Sequence, residues 1–128
     1  MVDRAFPVIF AAEVNTSAGF YEGLGFQRHC QLPADGEPGY VGLRRGTFEV
    51  AVVSTDWPQQ HYGARAGTDV RFEMFVYVDD VDGLVARLRH QGTTVLREAE
   101  DMPWGERVAY VTDPDGNPVG LARAATGT

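Results

Sequence analysis

The chain has 128 residues, and its eighteen acidic side chains against eleven basic ones leave a formal charge of −7. This excludes the basic face that nucleic-acid phosphates require and favours a cationic ligand, unless the acidity serves solubility alone. With 44% hydrophobic and 23% charged residues it reads as one ordinary globular domain, 1–128, and the single cysteine, Cys30, leaves no internal disulfide framework and fits a reducing cytoplasm.

The first residues lack a basic start followed by a long apolar segment, so no signal peptide is expected; apolar runs such as Val8 to Ala12 are far too short to span a bilayer. Phe6 to Ala12 reads as a strand, with Pro7 near its start where a missing donor does least harm. Glu13 to Thr16 supplies cap chemistry, and Val14, Ser17, Ala18 and Tyr21 follow at the spacing of one helix face. Gly23-Leu24-Gly25 stops that helix, and Phe26, a core residue by type, begins the next segment. An irregular stretch from Leu32 to Gly39 precedes a hairpin, Tyr40 to Arg44 and Thr47 to Val53, which turns at Arg45-Gly46.

Residues 55–69 have no periodicity and read as a linker carrying Trp57, His61 and Tyr62. Beyond it the pattern repeats. Glu73 to Val78 is a second apolar strand, and Val81, Leu84, Val85 and Leu88 form a second helix face ended by Gly92. A shift of 67 residues superposes Glu13 on Asp80, Val14 on Val81 and Gly25 on Gly92. Two copies of one unit follow, module one at 1–54 and module two at 70–122, with a tail at 123–128.

In the second copy Thr94 to Glu98 is a strand, and Pro103-Trp104-Gly105-Glu106-Arg107 forms a stiff corner before the strand Val108 to Thr112. Asp113-Pro114-Asp115-Gly116-Asn117 closes a tight turn, from which Pro118 to Leu121 returns antiparallel. Trp104 has two readings at this point: an indole fixed for stacking on a ligand, or a plug for the core at a strand end.

The duplicated unit, with Phe20-Tyr21-Glu22-Gly23-Leu24-Gly25-Phe26 in one copy and Asp113-Pro114-Asp115-Gly116-Asn117 in the other, resembles the vicinal-oxygen-chelate superfamily over about Phe6 to Ala122. The resemblance implies an α+β fold of two βαβββ modules forming cupped mixed sheets around a groove, often with modules exchanged between two chains. Enzymes of that superfamily hold one divalent metal at four places, which fall here on Phe6, Glu73, either Glu49 or Val50, and Gly120. Phe6 has no donor and Gly120 no side chain, whereas a catalytic divalent ion normally needs about three protein ligands. His29, His61 and His90 have no paired ligand spacing, and neither Cys30 nor the serines form a recognisable nucleophilic set. No metal, no cofactor and no catalysis are therefore expected. Glu73 reads as a carboxylate paired with a nearby arginine or with a ligand amine.

Strand alternation then names what lines the groove. If Phe6 and Glu73 face inward, so do Val8, Phe10, Phe75 and Tyr77, with Pro7, Ile9, Met74 and Val76 under the helices. Gly120 brings Pro118 and Ala122 with it, and Tyr110 lies on the same side; the missing side chains leave open space there. Tyr40 adds a further ring to the lining, with Trp57, Tyr62 and Trp104 as walls or lids, while Phe72 is expected in the core. The Pro-Trp-Gly corner looks most like the bleomycin-resistance branch, whose members sequester drugs unchanged as acidic homodimers.

The expected function is thus a cytoplasmic homodimer, with or without exchange of modules, that sequesters an aromatic antibiotic of bleomycin, mitomycin or enediyne type. Two alternatives stay open. One is a metal-dependent glyoxalase-like lyase or isomerase, or a dioxygenase, using Glu73, Glu49 and His61; the other is a small-metabolite sensor.

Overall fold

In the computed structural model, which describes residues 3–125, the first strand β1 (Val8–Ala11) buries Ile9 and Ala11 and turns Val8 outward. Helix α1 (Val14–Glu22) starts from extended Glu13 and buries Val14, Ser17, Ala18 and Tyr21, the four positions on the apolar face read from spacing. The chain then reverses through Gly25, whose φ of +98° would strain any side chain. Strands β2 (Gln27–Leu32), β3 (Tyr40–Arg45) and β4 (Phe48–Ser54) follow, the β3–β4 turn passing through Gly46. The first sheet runs β1-β4-β3-β2, with β1 parallel to β4 and the other neighbours antiparallel, and α1 packs against it.

One element was absent from the sequence reading. Residues 55–69 contain a helix, α2 (Trp57–Tyr62), with Pro58 in its first turn and Gly63 in the left-handed conformation at its end. Six residues are too few turns for a repeating apolar face, so only the end signals, Pro and Gly, mark it.

The second half builds the same topology. Strand β5 (Met74–Tyr77), helix α3 (Val81–His90) and strands β6 (Val95–Asp101), β7 (Arg107–Thr112) and β8 (Pro118–Arg123) give a sheet ordered β5-β8-β7-β6, with β5 parallel to β8. The side chain of Asp80 caps α3 by accepting from the Gly83 backbone N–H at 3.0 Å, and Val81, Leu84, Val85 and Leu88 are buried. Strand β8 reaches Arg123, one residue into the expected tail, and Ala122 is fully buried; 126–128 lie outside the described residues. The fold is thus α+β, two four-stranded mixed sheets each backed by a helix.

The chain divides into two compact units after Gly67, each with its own core. In the first, Tyr21, Val41, Leu43, Val50 and Val52 are fully or almost fully buried, and Phe26 packs edge-on to Tyr21 at 5.8 Å. In the second, Val108, Val111, Val119 and Leu121 do the same. Each such Val or Leu contributes about 1.5–3 kcal/mol on burial. Phe72, expected in the core, is only half-buried, and Pro7, expected under the helices, is exposed because it precedes β1.

The Asp113-to-Asn117 turn is an internal device. Asp113 Oδ1 accepts from the backbone N–H groups of Asp115 and Asn117 at 2.9 and 2.8 Å, and Asp113 Oδ2 accepts from Asn117 Nδ2 at 3.1 Å. Asn117, fully buried, in turn accepts from the Arg71 N–H at 3.0 Å. A turn of the main chain is thereby closed by its own side chains, as Asp and Asn do best.

Candidate ligand-binding faces

Residues opposite each other in neighbouring strands share a face. In the first unit the pairs Val8 with Ala51, Phe10 with Val53, Tyr40 with Val53 and Arg44 with Glu49 place Val8, Phe10, Tyr40 and Glu49 on the sheet face away from α1. Val50 points the other way and is buried, so of the two residues left open in β4 only Glu49 belongs to this face.

Glu49 is already engaged. Arg4 Nε and Nη2 donate to its two carboxylate oxygens at 2.8 and 2.7 Å, a bidentate pair, and the same guanidinium lies 5.1 Å from the centre of the Phe6 ring. His29 Nε2 stands 3.7 Å from Glu49 Oε1. The arginine holds the Glu49 carboxyl below the usual carboxylate range, first through the hydrogen bonds and then through its charge. A carboxylate paired with an arginine or a ligand amine was expected at Glu73; the arginine pair is made instead by Arg4 at Glu49, and Glu73 is exposed just ahead of β5.

Arg4 and His29 were missed by sequence reasoning. A bulge between Arg28 and Cys30 leaves His29 lying over Gly42, where a Cβ would meet Nε2 at 3.1 Å. A glycine inside an apolar strand was the one available hint.

Trp57 and Tyr40 meet, with ring centres 5.6 Å apart, and His61 stacks on the other ring neighbour of this group, Trp57, at 3.9 Å. His61 Nδ1 donates to the Trp57 carbonyl at 3.0 Å. Its ring is therefore packed on an indole. Tyr62 stands exposed at the end of α2.

In the second unit Phe75, Gly120 and Tyr110 form one row across β5, β8 and β7, and Tyr77, Ala122 and Val108 the next. Open space was expected over Gly120. Instead the Phe75 ring lies there, so near that a Cβ on Gly120 would fall 2.4 Å from Phe75 Cδ1 and 3.1 Å from Tyr110 Cε1. With no side chain beneath it, the ring settles on the backbone of the neighbouring strand. Tyr77 meets Phe75 edge-on at 5.5 Å. Trp104 is 63% exposed, which removes the reading of a core plug, and its indole Nε1 donates to Glu106 Oε1 at 2.8 Å. Tyr77 Oη donates to Glu106 Oε2 at 2.7 Å, and this bond, with the negative charge behind it, raises the phenol's pKa. Beside Tyr77, a shallow hollow of about 390 Å³ is bordered by Asp79, Arg123 and Ala124.

The divalent metal used by related enzymes does not fit these residues. In register, Ala51 stands to Val8 as Gly120 stands to Phe75, so the position in β4 equivalent to Gly120 is Ala51, which has no donor. Phe6 has none either, and the nearby Glu49 is held by Arg4. Glu73 alone could donate, short of the three ligands such a site normally has. Among the described residues no helix is long and apolar enough to cross a membrane.

Comparison with known proteins agrees with the duplicated topology. Over 105 residues the chain is 29% identical to a Mycobacterium tuberculosis protein provisionally named a glyoxylase, CFP32; the match covers 82% of this chain but only 39% of that relative's length. Among solved structures, hypothetical protein SA1046 from S. aureus matches with a TM-score of 0.79 at 23% identity, covering 97% of this chain and 95% of that one. TioX from Micromonospora sp. ML1 matches with a TM-score of 0.72 at 24% identity, covering 98% and 99% respectively. The profile of one family spans residues 4–121, and by that match the chain belongs to the Glyoxalase/Bleomycin resistance protein/Dioxygenase superfamily.

Proposed function

We propose that this chain is a non-catalytic, cytoplasmic binding protein that sequesters an aromatic natural product, of bleomycin, mitomycin or enediyne type, and that it acts as a homodimer. The observation that carries this reading is the loss of donors at positions where related enzymes grip an ion: an aromatic ring overlies Gly120, its counterpart in β4 is Ala51, and the nearby Glu49 is held by Arg4. What these faces offer instead is ring area, from Phe10, Tyr40 and Trp57 in one unit and Phe75, Tyr77 and Trp104 in the other. Each well-placed aromatic stack adds about 0.5–1.5 kcal/mol beyond burial.

The test is titration of the purified protein with candidate drugs while tryptophan fluorescence is followed. Saturable quenching with the drug recovered intact supports sequestration, and a chemically altered product overturns it. Similarity to CFP32 favours a second reading, a metal-dependent lyase or isomerase of glyoxalase type. Stoichiometric metal in protein purified without chelator would decide for it.

A further inference from the structure

We propose that Trp104, Tyr77 and Glu106 form a recognition site for an organic cation, a protonated or quaternary amine. The inference deepens the sequestration reading, on which its biological meaning rests, by giving the aromatic ligand a positive charge.

Three features of the second unit carry it. The first is that the two aromatic side chains are held by one carboxylate, one to each oxygen, at 2.8 and 2.7 Å. The corner beneath is fixed by its own backbone: Met102 N–H donates to the Glu106 carbonyl at 2.7 Å, Gly105 N–H to the Met102 carbonyl at 2.9 Å, and Gly105 has a φ of +98°. Indole and phenol are therefore set in place before any ligand arrives. Both remain well exposed, at 63% and 47%, so their rings are not spent on the core.

The second feature is charge. Glu106 receives two neutral donors, and among the described residues no cation pairs with it. Four other acids of this unit are matched: Asp82 and Asp101 by Arg107, Glu98 by Arg89 and Glu100 by Arg97. Arg107, though adjacent in sequence, is drawn to Asp82 on α3. It stands opposite Arg123 in the β7–β8 register, in the row flanking that of Val108 and Ala122 and therefore on the other face. Each Glu106 oxygen, having accepted one bond, has a further acceptor direction.

The third feature is composition. A carboxylate at the polar edges of a tryptophan and a tyrosine whose rings stay exposed suits an ammonium group, because the ring quadrupoles and the acid attract a cation together.

The experiment follows the indole N–H signals of ¹⁵N-labelled full-length protein during titration with choline and with 3,3-dimethylbutan-1-ol, its neutral isostere. The Trp104 signal is assigned with Trp104→Phe, and Trp57 serves as the internal reference. Choline is expected to shift the Trp104 signal saturably, and the alcohol to bind at least about tenfold more weakly. Glu106→Gln, with an unchanged circular dichroism spectrum, should lose roughly tenfold in choline affinity; Tyr77→Phe, which keeps the ring but frees it from Glu106, should lose less. Equal response to the alcohol, an unaffected Glu106→Gln variant or a silent Trp104 signal would each overturn the proposal. Intact binding of an uncharged aromatic drug alongside silent choline would sink the cation site and leave sequestration standing. Choline binding with every drug chemically altered would do the reverse.

Discussion

The ring of Phe75 occupies the space that a side chain on Gly120 would need, with Cδ1 only 2.4 Å from the place of a Cβ. Gly120 is thus a seat for an aromatic ring on the adjacent strand. Alanine there forces the ring to swing away, and Gly120→Ala is expected to cost about 1–3 kcal/mol by overpacking. Combining it with Phe75→Ala should recover most of that loss. A double-mutant cycle by urea denaturation measures the coupling; additive effects would contradict the packing described.

The Arg4–Glu49 pair sets a pH dependence. Because the folded carboxyl is held below its unfolded value, the stability it contributes is complete above the ordinary value, about 4.3, and is lost as pH falls through the depressed folded value. Arg4→Met should therefore destabilise at neutral pH, and its penalty should shrink as pH falls below the ordinary carboxylate value and the paired acid is neutralised. Denaturation midpoints of the two proteins across that range are the measurement. A penalty that persists in acid would mean Arg4 acts through its packing on Phe6.

Asp113 satisfies two backbone donors and the amide of buried Asn117. Asp113→Ala strands those donors, and a loss of about 2–4 kcal/mol is expected. Asp113→Asn, which keeps an acceptor, should cost less. Chemical denaturation of the two variants compares them directly.

The Tyr77 phenol ionises late because its proton is donated to a carboxylate. Replacement of that carboxylate in Glu106→Gln removes the charge that opposes ionisation, so the phenol should titrate at lower pH than in the parent. Its ring-carbon resonance, followed through the alkaline range, reports this. An unchanged titration would mean that the bond to Glu106 does not govern the phenol.

Much of the architecture was legible because apolar spacing and turn chemistry agreed. Val14, Ser17, Ala18 and Tyr21, and again Val81, Leu84, Val85 and Leu88, could be assigned to buried faces from position alone. The sheet faces followed from alternation, as Ile9 against Val8 and Val76 against Tyr77 show. Helix α2 escaped because a turn and a half cannot display a period.

Side-chain pairings were less readable. Nothing local to Glu49 announces Arg4, forty-five residues earlier, and His29 owes its position to a strand bulge. Gly120 could be recognised as small, but whether the freed space stays empty or admits a neighbour depends on register across three strands. Phe75 is opposite by pairing, and that fact exists only once β5 lies against β8.

Asn117 joins the terminal hairpin to the chain just ahead of β5, and it does so entirely out of reach of solvent. The most recognisable signature of this sequence therefore works as a fastening, and strands can exchange their chemistry above it without loosening it. Selection for a new guest can act on the neighbouring rows while the buried clasp goes unchanged.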